Sequence, residues 1–228
     1  MIDLNQKDLN KLCIKVFGTK FQNEQFLNQI ILKCKKILRK EGINESKFSI
    51  ENVDEIEINF KIKQILELIG YCYYLLKDFD KALIIYQTLV ISDESPFCVW
   101  EISNSKNDVS SYYKDLRKSK VKIFKLTDML KNKPAKKTYV YKELASEYFF
   151  LGYYKLSAEF HKKYLKQKPE NFEHWSILGE LYEYEKKYKQ SIRCFENAKK
   201  YAIIKGYLNY AEDYNSKIKE LKIISKQN

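Results

Sequence analysis

Apolar residues recur at intervals of three and four along most of the chain, a spacing that places them on one face of an α-helix. One such face, near the N-terminus, consists of Phe26, Leu27, Ile30, Ile31, Cys34, Ile37 and Leu38. Another, near the C-terminus, consists of Leu208, Ala211, Tyr214, Ile218 and Leu221. The segment EIEINFKIK alternates as strands do, but Val53, Ile56 and Phe60 also fit a helix, and no second strand accompanies them. The pattern therefore predicts an all-α protein.

Three segments of this helical pattern repeat one another without gaps. They begin at Ile69, Leu144 and Leu178 and read IGYCYYLLKDFDKALIIYQTL, LASEYFFLGYYKLSAEFHKKY and LGELYEYEKKYKQSIRCFENA. Each predicts two helices, with a small residue in the first, another twelve positions later and a ring four positions after that. The sets are Gly70, Ala82 and Tyr86; Ala145, Ser157 and His161; and Gly179, Ser191 and Phe195. Facing small residues predict a close crossing of the two helices, with the rings filling the wider gap toward the next pair.

The three copies resemble the tetratricopeptide repeat, in which W-x2-L-G-x2-Y, A-x3-F and P recur every 34 residues. Leu144 and Leu178 are 34 residues apart, and Trp175, Gly179 and Tyr182 match the first part of that pattern. The resemblance covers 63–96 and 138–205, and it implies a right-handed α-solenoid of helical hairpins. It divides the chain into an N-terminal helical region (1–62), a first repeat (63–96), a basic insertion or degenerate repeat (97–137), two repeats (138–205) and a C-terminal capping helix (206–228).

In this family the first helices of successive repeats line a concave groove that holds a partner. The resemblance implies a groove of Leu68, Tyr71, Tyr74, Leu75, Lys142, Ser146, Phe149, Phe150, Ile177, Glu180 and Tyr184. Such an apolar, aromatic set favours an amphipathic helix or an extended apolar segment of a partner protein. The alternative is that the chain's own N-terminal helices or its 97–106 loop cover these rings. The resemblance thus predicts a non-catalytic scaffold or adaptor that belongs to a larger assembly.

Co-chaperones of the family hold the acidic tail of a heat-shock protein with a clamp of lysines, asparagines and an arginine. Only Lys142 matches that clamp, because Ser146 and Ile177 replace the asparagines and Tyr207 and Ala211 replace the last two basic residues. A heat-shock protein tail is therefore not the expected partner.

Charge adds a second hypothesis, because the chain has a formal net charge of +12 and segment 97–137 holds eleven basic and four acidic residues. Counterion release makes such a strip attractive to phosphates. The candidate contacts for nucleic acid or an acidic protein neighbour are Lys114, Arg117, Lys118, Lys120, Lys122 and Lys125. A solvated helix face explains the run equally well, so an RNA-associated helical-repeat protein stays the alternative to the adaptor.

Composition indicates the cellular compartment and whether catalytic or metal-binding residues are expected. The five cysteines are odd in number and form no C-x-x-C pair, which indicates a reducing environment. The sequence has neither a long apolar run nor a secretion signal, so a soluble intracellular protein without a membrane partner is expected, cytoplasmic first, with nucleus and organelles left open. His161 stands at a core ring position, and no metal-ligand cluster or phosphate-binding glycine loop accompanies His174. The sequence therefore predicts no catalytic residue, metal or cofactor.

Overall fold

A computed structural model describes residues 6–18, 23–43, 59–92 and 105–227 of the chain. Over these ranges the secondary structure is ten α-helices and one short 3-10 turn, without a strand. The prediction of an all-α protein is confirmed. Val53 and Ile56 lie outside the described ranges, whereas Phe60 begins a helix. None of the described helices combines the length and the apolar character needed to cross a bilayer.

The helices fall into two compact units, and the division lies between Phe124 and Lys125. In chain order they are α1 (Gln6–Gly18), α2 (Glu24–Lys40), α3 (Phe60–Leu75), α4 (Phe79–Ile91), α5 (Lys106–Asn132), α6 (Lys137–Phe150), α7 (Tyr154–Leu165), α8 (Phe172–Tyr184), α9 (Tyr188–Ile204) and α10 (Leu208–Gln227). The 3-10 turn at Pro134–Lys136 precedes α6.

In the first unit α3 is the central helix, because α1, α2 and α4 all pack on it. Its N-terminus is capped by Asn59, whose side chain accepts the backbone N–H groups of Lys61 and Ile62. Helix α2 buries the predicted apolar face except for Phe26, which is half-buried; the buried members are Leu27, Ile30, Ile31, Cys34, Ile37 and Leu38. The sequence pattern therefore located this helix and its buried side correctly.

Segment 97–137 differs from the expected degenerate repeat. A repeat needs two helices with a turn between them, but α5 runs unbroken from Lys106 to Asn132. The sequence from Lys106 to Lys133 contains no glycine or proline, so nothing in it ends a helix early. Ile123 is buried on this single helix. Most of the predicted loop before it, residues 97–104, lies outside the described residues.

In the second unit consecutive helices pack in pairs, α6 with α7 and α8 with α9, and α10 packs on α9. Helix α10 buries four members of its predicted face, Ala211, Tyr214, Ile218 and Leu221. The fifth, Leu208, is 60% exposed, so that prediction is wrong. Leu208 is the first residue of α10, and α9 has already ended four residues earlier, at Ile204.

The small residues of the second unit lie where two paired helices touch. The Ser157 hydroxyl on α7 donates to the Ala145 carbonyl on α6 over 2.9 Å. The Ser191 hydroxyl on α9 donates to the Gly179 carbonyl on α8 over 2.7 Å. Both bonds join residues twelve positions apart, and each brings one helix within hydrogen-bond reach of the backbone of the other. The predicted close crossing is confirmed at these two pairs.

The two repeat glycines make room for side chains. A Cβ at Gly179 would lie 2.9 Å from Cε2 of the Phe195 ring, closer than a real Cβ approaches a neighbour. A Cβ at Gly70 would collide with the Tyr113 hydroxyl and lie 2.8 Å from Cγ2 of Ile85. What a larger residue would meet first is therefore a ring or a branched side chain.

The ring that ends each repeat pattern lies against the next helix. Ring centroids are 5.1 Å apart for Tyr86 and Tyr112 of α5, and 6.0 Å apart for Phe195 and Tyr214 of α10. His161 and His174 of α8 follow the same rule at 4.8 Å. Each ring therefore contacts the helix that follows its pair, and for His161 that helix begins the next pair, as the sequence predicted.

Candidate partner-binding surfaces

Helices α6 and α8 of the second unit carry seven of the predicted groove residues on their accessible faces. Lys142 and Ser146 are exposed, as are Phe150 (36%) and Tyr184 (41%). Phe149, Ile177 and Glu180 are half-buried. We call these seven residues the α6–α8 surface, together with the exposed Tyr139 and the buried Tyr154 beneath them, both described next. It combines aromatic rings with few charges, which suits apolar contact.

Tyr154, at the start of α7, links the aromatic residues of the two helices. Its ring meets Phe149 of α6 at 5.8 Å and Tyr184 of α8 at 5.5 Å, both edge to face. The sequence analysis did not single it out, although the repeat alignment contains the signal. The equivalent residue of the first repeat is Phe79, which meets Tyr74 edge to face at 6.1 Å. The rings on this surface are thus held in place before any partner binds.

Tyr139 is a second residue that the sequence analysis missed. It precedes Lys142, Ser146 and Phe150 at helical spacing on α6, and its side chain is exposed. The row from Tyr139 to Phe150 covers twelve residues, about 16 Å of helix. Continuing the predicted face by one turn toward the N-terminus would have found it.

Carboxylates border the α8 side of this surface. Burial raises the pKa of Glu180, and the nearby Glu183 raises it further, while Lys217 of α10 acts in the opposite direction. Lys217 pairs with Glu183 at 2.8 Å and with Glu220 at 3.2 Å. The rings therefore have a partly neutralised acidic border on one side.

The predicted groove residues of α3 have different surroundings. Leu68 and Tyr71 are buried, and the Tyr71 ring stacks on Phe17 of α1 at 4.8 Å. Tyr74 is half-buried and stacks on Tyr113 of α5 at 5.6 Å. The prediction that Leu68 and Tyr71 contact a partner is wrong, because α1 and α5 of the same chain cover this part of α3.

Leu75, the fourth predicted residue of α3, lines a cleft of about 690 Å³ in the first unit. The cleft lies between α2 and the turn from α3 to α4, with Leu32 and Leu76 among its apolar residues. Lys35 and Lys81 stand over the Tyr73 ring at 5.5 and 5.3 Å. Lys81 is also paired with Asp78 at 2.6 Å, so its charge is compensated within the chain.

The basic residues of α5 divide into three groups by exposure. Lys114, Lys118 and Lys125 are exposed, and Arg117 and Lys122 are half-buried. Lys120 is buried and forms an ion pair with the buried Glu67 of α3, with 2.5 Å between nitrogen and oxygen. The prediction that Lys120 contacts nucleic acid or an acidic partner is therefore wrong. Lys120 stands four residues after the buried Leu116, on the apolar side of the helix, and that position was the missed signal.

The two histidines form a buried pair between α7 and α8. Their Nδ1 atoms are 2.8 Å apart, so one ring donates its proton and the other accepts it. Burial, together with the smaller effect of His174, lowers the pKa of His161 to about 3. Burial also lowers the pKa of His174 to about 4, with Lys142 adding to the effect. Both rings are therefore neutral at pH 7, and His161 is the packed core histidine that was predicted.

The histidine pair should make stability fall as the solution is acidified. Below pH 6.5 the unfolded chain binds protons at both histidines, while the folded chain does not until about pH 4, so unfolding is favoured across that window. We expect a loss of about 2 kcal/mol between pH 7 and pH 5.5. Urea unfolding at both pH values measures it. His161→Phe, which introduces the ring of the third repeat, should show roughly half the pH dependence; an unchanged dependence would exclude the pair as its source.

The cysteine thiols that the structure describes are protonated at neutral pH. Burial raises the pKa of Cys13 to about 11 and those of Cys72 and Cys194 to about 12, and it raises that of Cys34 further. A thiol must ionise to act as a nucleophile or metal ligand, so these four serve packing. No group of three or more metal-ligating side chains occurs in the described residues. Cys98 lies outside them.

No model of a known protein family matches the chain, and no curated protein matches it in sequence. The likeness to the tetratricopeptide repeat therefore rests on the residue pattern alone.

Proposed function

We propose that the protein is a non-catalytic adaptor of the tetratricopeptide class, a right-handed α-solenoid that serves as a subunit of a larger assembly. It would hold an apolar or amphipathic segment of a partner protein on its α6–α8 surface. The observation that carries the proposal is the linked set of rings at Phe149, Tyr154 and Tyr184, bordered by the exposed Phe150.

The chemistry of this surface suits a protein segment. Rings that already pack edge to face lose little conformational freedom when a partner covers them, so most of the apolar contact contributes to affinity. The row from Tyr139 to Phe150 is about as long as three turns of a partner helix. The low number of charges among the rings favours an apolar ligand over a phosphate-bearing one.

Repeated contacts support the assignment to the tetratricopeptide class. The serine-to-carbonyl bonds at Ser157 and Ser191 occur at equivalent positions of two copies. The aromatic pair Tyr74 and Phe79 of the first copy has the geometry of the pair Phe149 and Tyr154 of the second. Equal contacts at equal repeat positions are what a stack of one supersecondary unit requires.

Charged substitutions on the α6–α8 surface should abolish partner capture. The full-length chain, tagged, is used to capture proteins from its native source at low and high salt, with and without nuclease. Phe150→Asp and Tyr184→Asp should each reduce the salt-resistant, nuclease-insensitive partners at least tenfold, because a carboxylate cannot be buried in an apolar contact without a large desolvation cost. Quantitative mass spectrometry of the captured proteins is the measurement.

Ile223→Asp is the matched control, since Ile223 on α10 is an exposed aliphatic side chain outside the α6–α8 surface. It should capture the same partners as the unchanged chain, and circular dichroism should give the same helical content for all three variants. Full capture by both Phe150→Asp and Tyr184→Asp would disprove the proposed site.

RNA association is the second candidate, favoured by the exposed lysines of α5. Lys114, Lys118 and Lys125 are spaced by four and seven residues, which places them on one side of the helix. If this stripe is the functional surface, captured proteins should disappear with nuclease or modest salt. Changing the three lysines to glutamine should then weaken binding of a labelled single-stranded RNA and lower its salt dependence by about three ions.

A further inference from the structure

The turn between α9 and α10 carries a dense group of exposed apolar side chains that the proposed adaptor function does not use. All residues from 203 to 210 are exposed. Ile204 and Leu208 are the most exposed, at 67% and 60%, and the other apolar members are Ile203, Tyr207 and Tyr210. Water-exposed side chains of this size, gathered on one turn, mark an interaction site.

The backbone holds this turn in one conformation. Gly206 has a φ of +78°, and its N–H donates to the Ile203 carbonyl over 3.0 Å. The N–H of Tyr207 donates to the Ala202 carbonyl over 2.9 Å, which completes the usual helix-ending motif. The Tyr207 and Tyr210 rings also rest against Phe172 of α8, with centroids 5.2 and 5.7 Å away. The apolar side chains are thus presented by a fixed turn.

The chain segment that forms the turn contains basic residues and no acidic one. No acidic residue occurs between Glu196 and Glu212, whereas that interval contains Lys199, Lys200 and Lys205. Lys200 and Lys205 are exposed, and neither has an ion-pair partner among the described residues. The Lys205 ammonium stands 5.9 Å from the centroid of the Phe172 ring, close to the two tyrosines. Two unpaired ammonium groups therefore belong to the same segment as the apolar side chains.

We propose that this turn docks on a negatively charged lipid bilayer. A partner helix needs a groove, whereas here the apolar side chains stand on an exposed turn. Such side chains can enter the headgroup region while neighbouring lysines stay at the anionic surface, and tyrosine favours that depth. Binding of this kind needs no spanning helix.

The docking surface is separate from the α6–α8 surface. Phe172, which contacts the turn, is the first residue of α8, and Tyr184 is the last. Twelve residues of helix put about 18 Å between them. The bilayer and a partner protein can therefore occupy the molecule together.

Co-sedimentation of the full-length chain with vesicles tests the proposal. The chain should bind vesicles that mix phosphatidylserine with phosphatidylcholine and should not bind phosphatidylcholine alone. Leu208→Asp should weaken that binding at least tenfold, and it leaves the fold intact because a carboxylate suits the first turn of a helix. Ile223→Asp, on the same helix and at an equally exposed side chain (61%), should bind as the unchanged chain does.

The lysines provide the second part of the test. Lys200→Ser with Lys205→Ser should weaken binding to the anionic vesicles about tenfold, while Lys155→Ser with Lys189→Ser, at two exposed lysines outside the turn, should leave it unchanged. Failure of the unchanged chain to bind anionic vesicles would overturn the proposal. An equal loss of vesicle binding in the Leu208 and Ile223 variants would also overturn it. So would binding that depends on the lysines but not on Leu208, since a ligand held by charge alone, such as a soluble polyanion, gives that pattern.

Discussion

Gly179→Leu is expected to unfold the second unit or to cost roughly 3 kcal/mol or more of its stability. The new side chain must occupy the space of the Phe195 ring, which a Cβ alone would approach to 2.9 Å. Overpacking a filled core typically costs about 1–3 kcal/mol. A single Cβ is already too close to the Phe195 ring, and a leucine side chain adds three more carbon atoms. The gain in helix propensity, about 1 kcal/mol, does not offset this cost. Trp175 fluorescence during urea unfolding, in a Trp100→Phe background, reports on this unit.

Two further variants identify steric conflict as the cause. Gly179→Leu combined with Phe195→Ala should recover part of the lost stability, because the ring that conflicts with the introduced leucine is gone. Gly18→Leu lies in the first unit and is therefore followed by circular dichroism; it should change stability little, since no heavy atom lies within 4 Å of a Cβ at Gly18. Equal losses for the Gly18 and Gly179 variants would show that backbone flexibility, not space, is what glycine supplies.

Lys120→Met is expected to destabilise the first unit by roughly 3–5 kcal/mol, because it removes the ammonium that faces the buried Glu67 carboxylate. Methionine has a similar length and no charge, so the lost interaction is electrostatic and not a matter of volume. The free energy of unfolding in urea, followed by circular dichroism, measures the effect.

Removing both charges should do less harm than removing one. Glu67→Leu together with Lys120→Met should recover most of the stability, since two apolar side chains replace a buried ion pair at little net cost. Lys118→Met, at an exposed lysine on the same helix, should stay within about 0.5 kcal/mol of the unchanged chain. If the double variant is as unstable as Lys120→Met alone, the ion pair is not the reason for the loss.

The sequence pattern indicated the role of Gly179 correctly and the role of Lys120 incorrectly. Gly179 stood in an apolar helical pattern where a glycine is costly, so close packing was the natural interpretation, and the repeat alignment pointed to the crossing with Ser191. Lys120 stood in a run of lysines that was interpreted as one basic strip, in contact either with nucleic acid or an acidic partner or with solvent alone. Its position on the buried side of α5 was available from helical spacing, but the Glu67 that neutralises it is 53 positions away in the chain.

The predicted groove residues were also located with mixed success. The part on α6 and α8 remained accessible, whereas Tyr71 on α3 is covered by Phe17 and Tyr74 by Tyr113. Equivalent repeat positions have the same local pattern in all copies. They differ in which distant helix lies over them, and the sequence of one repeat does not carry that information.

By itself the sequence determined the helices, their buried faces and the pairing of consecutive helices, because helical period and small-residue spacing are local properties that a few neighbouring residues encode. The prediction failed where the local pattern contains no signal, as for α5, which continues past the point where a repeat would turn. Only the tertiary structure decided which rings stay accessible, which lysine is buried and which residues surround each histidine. Burial and pKa depend on groups from separate helices, and those groups meet only after the chain has folded.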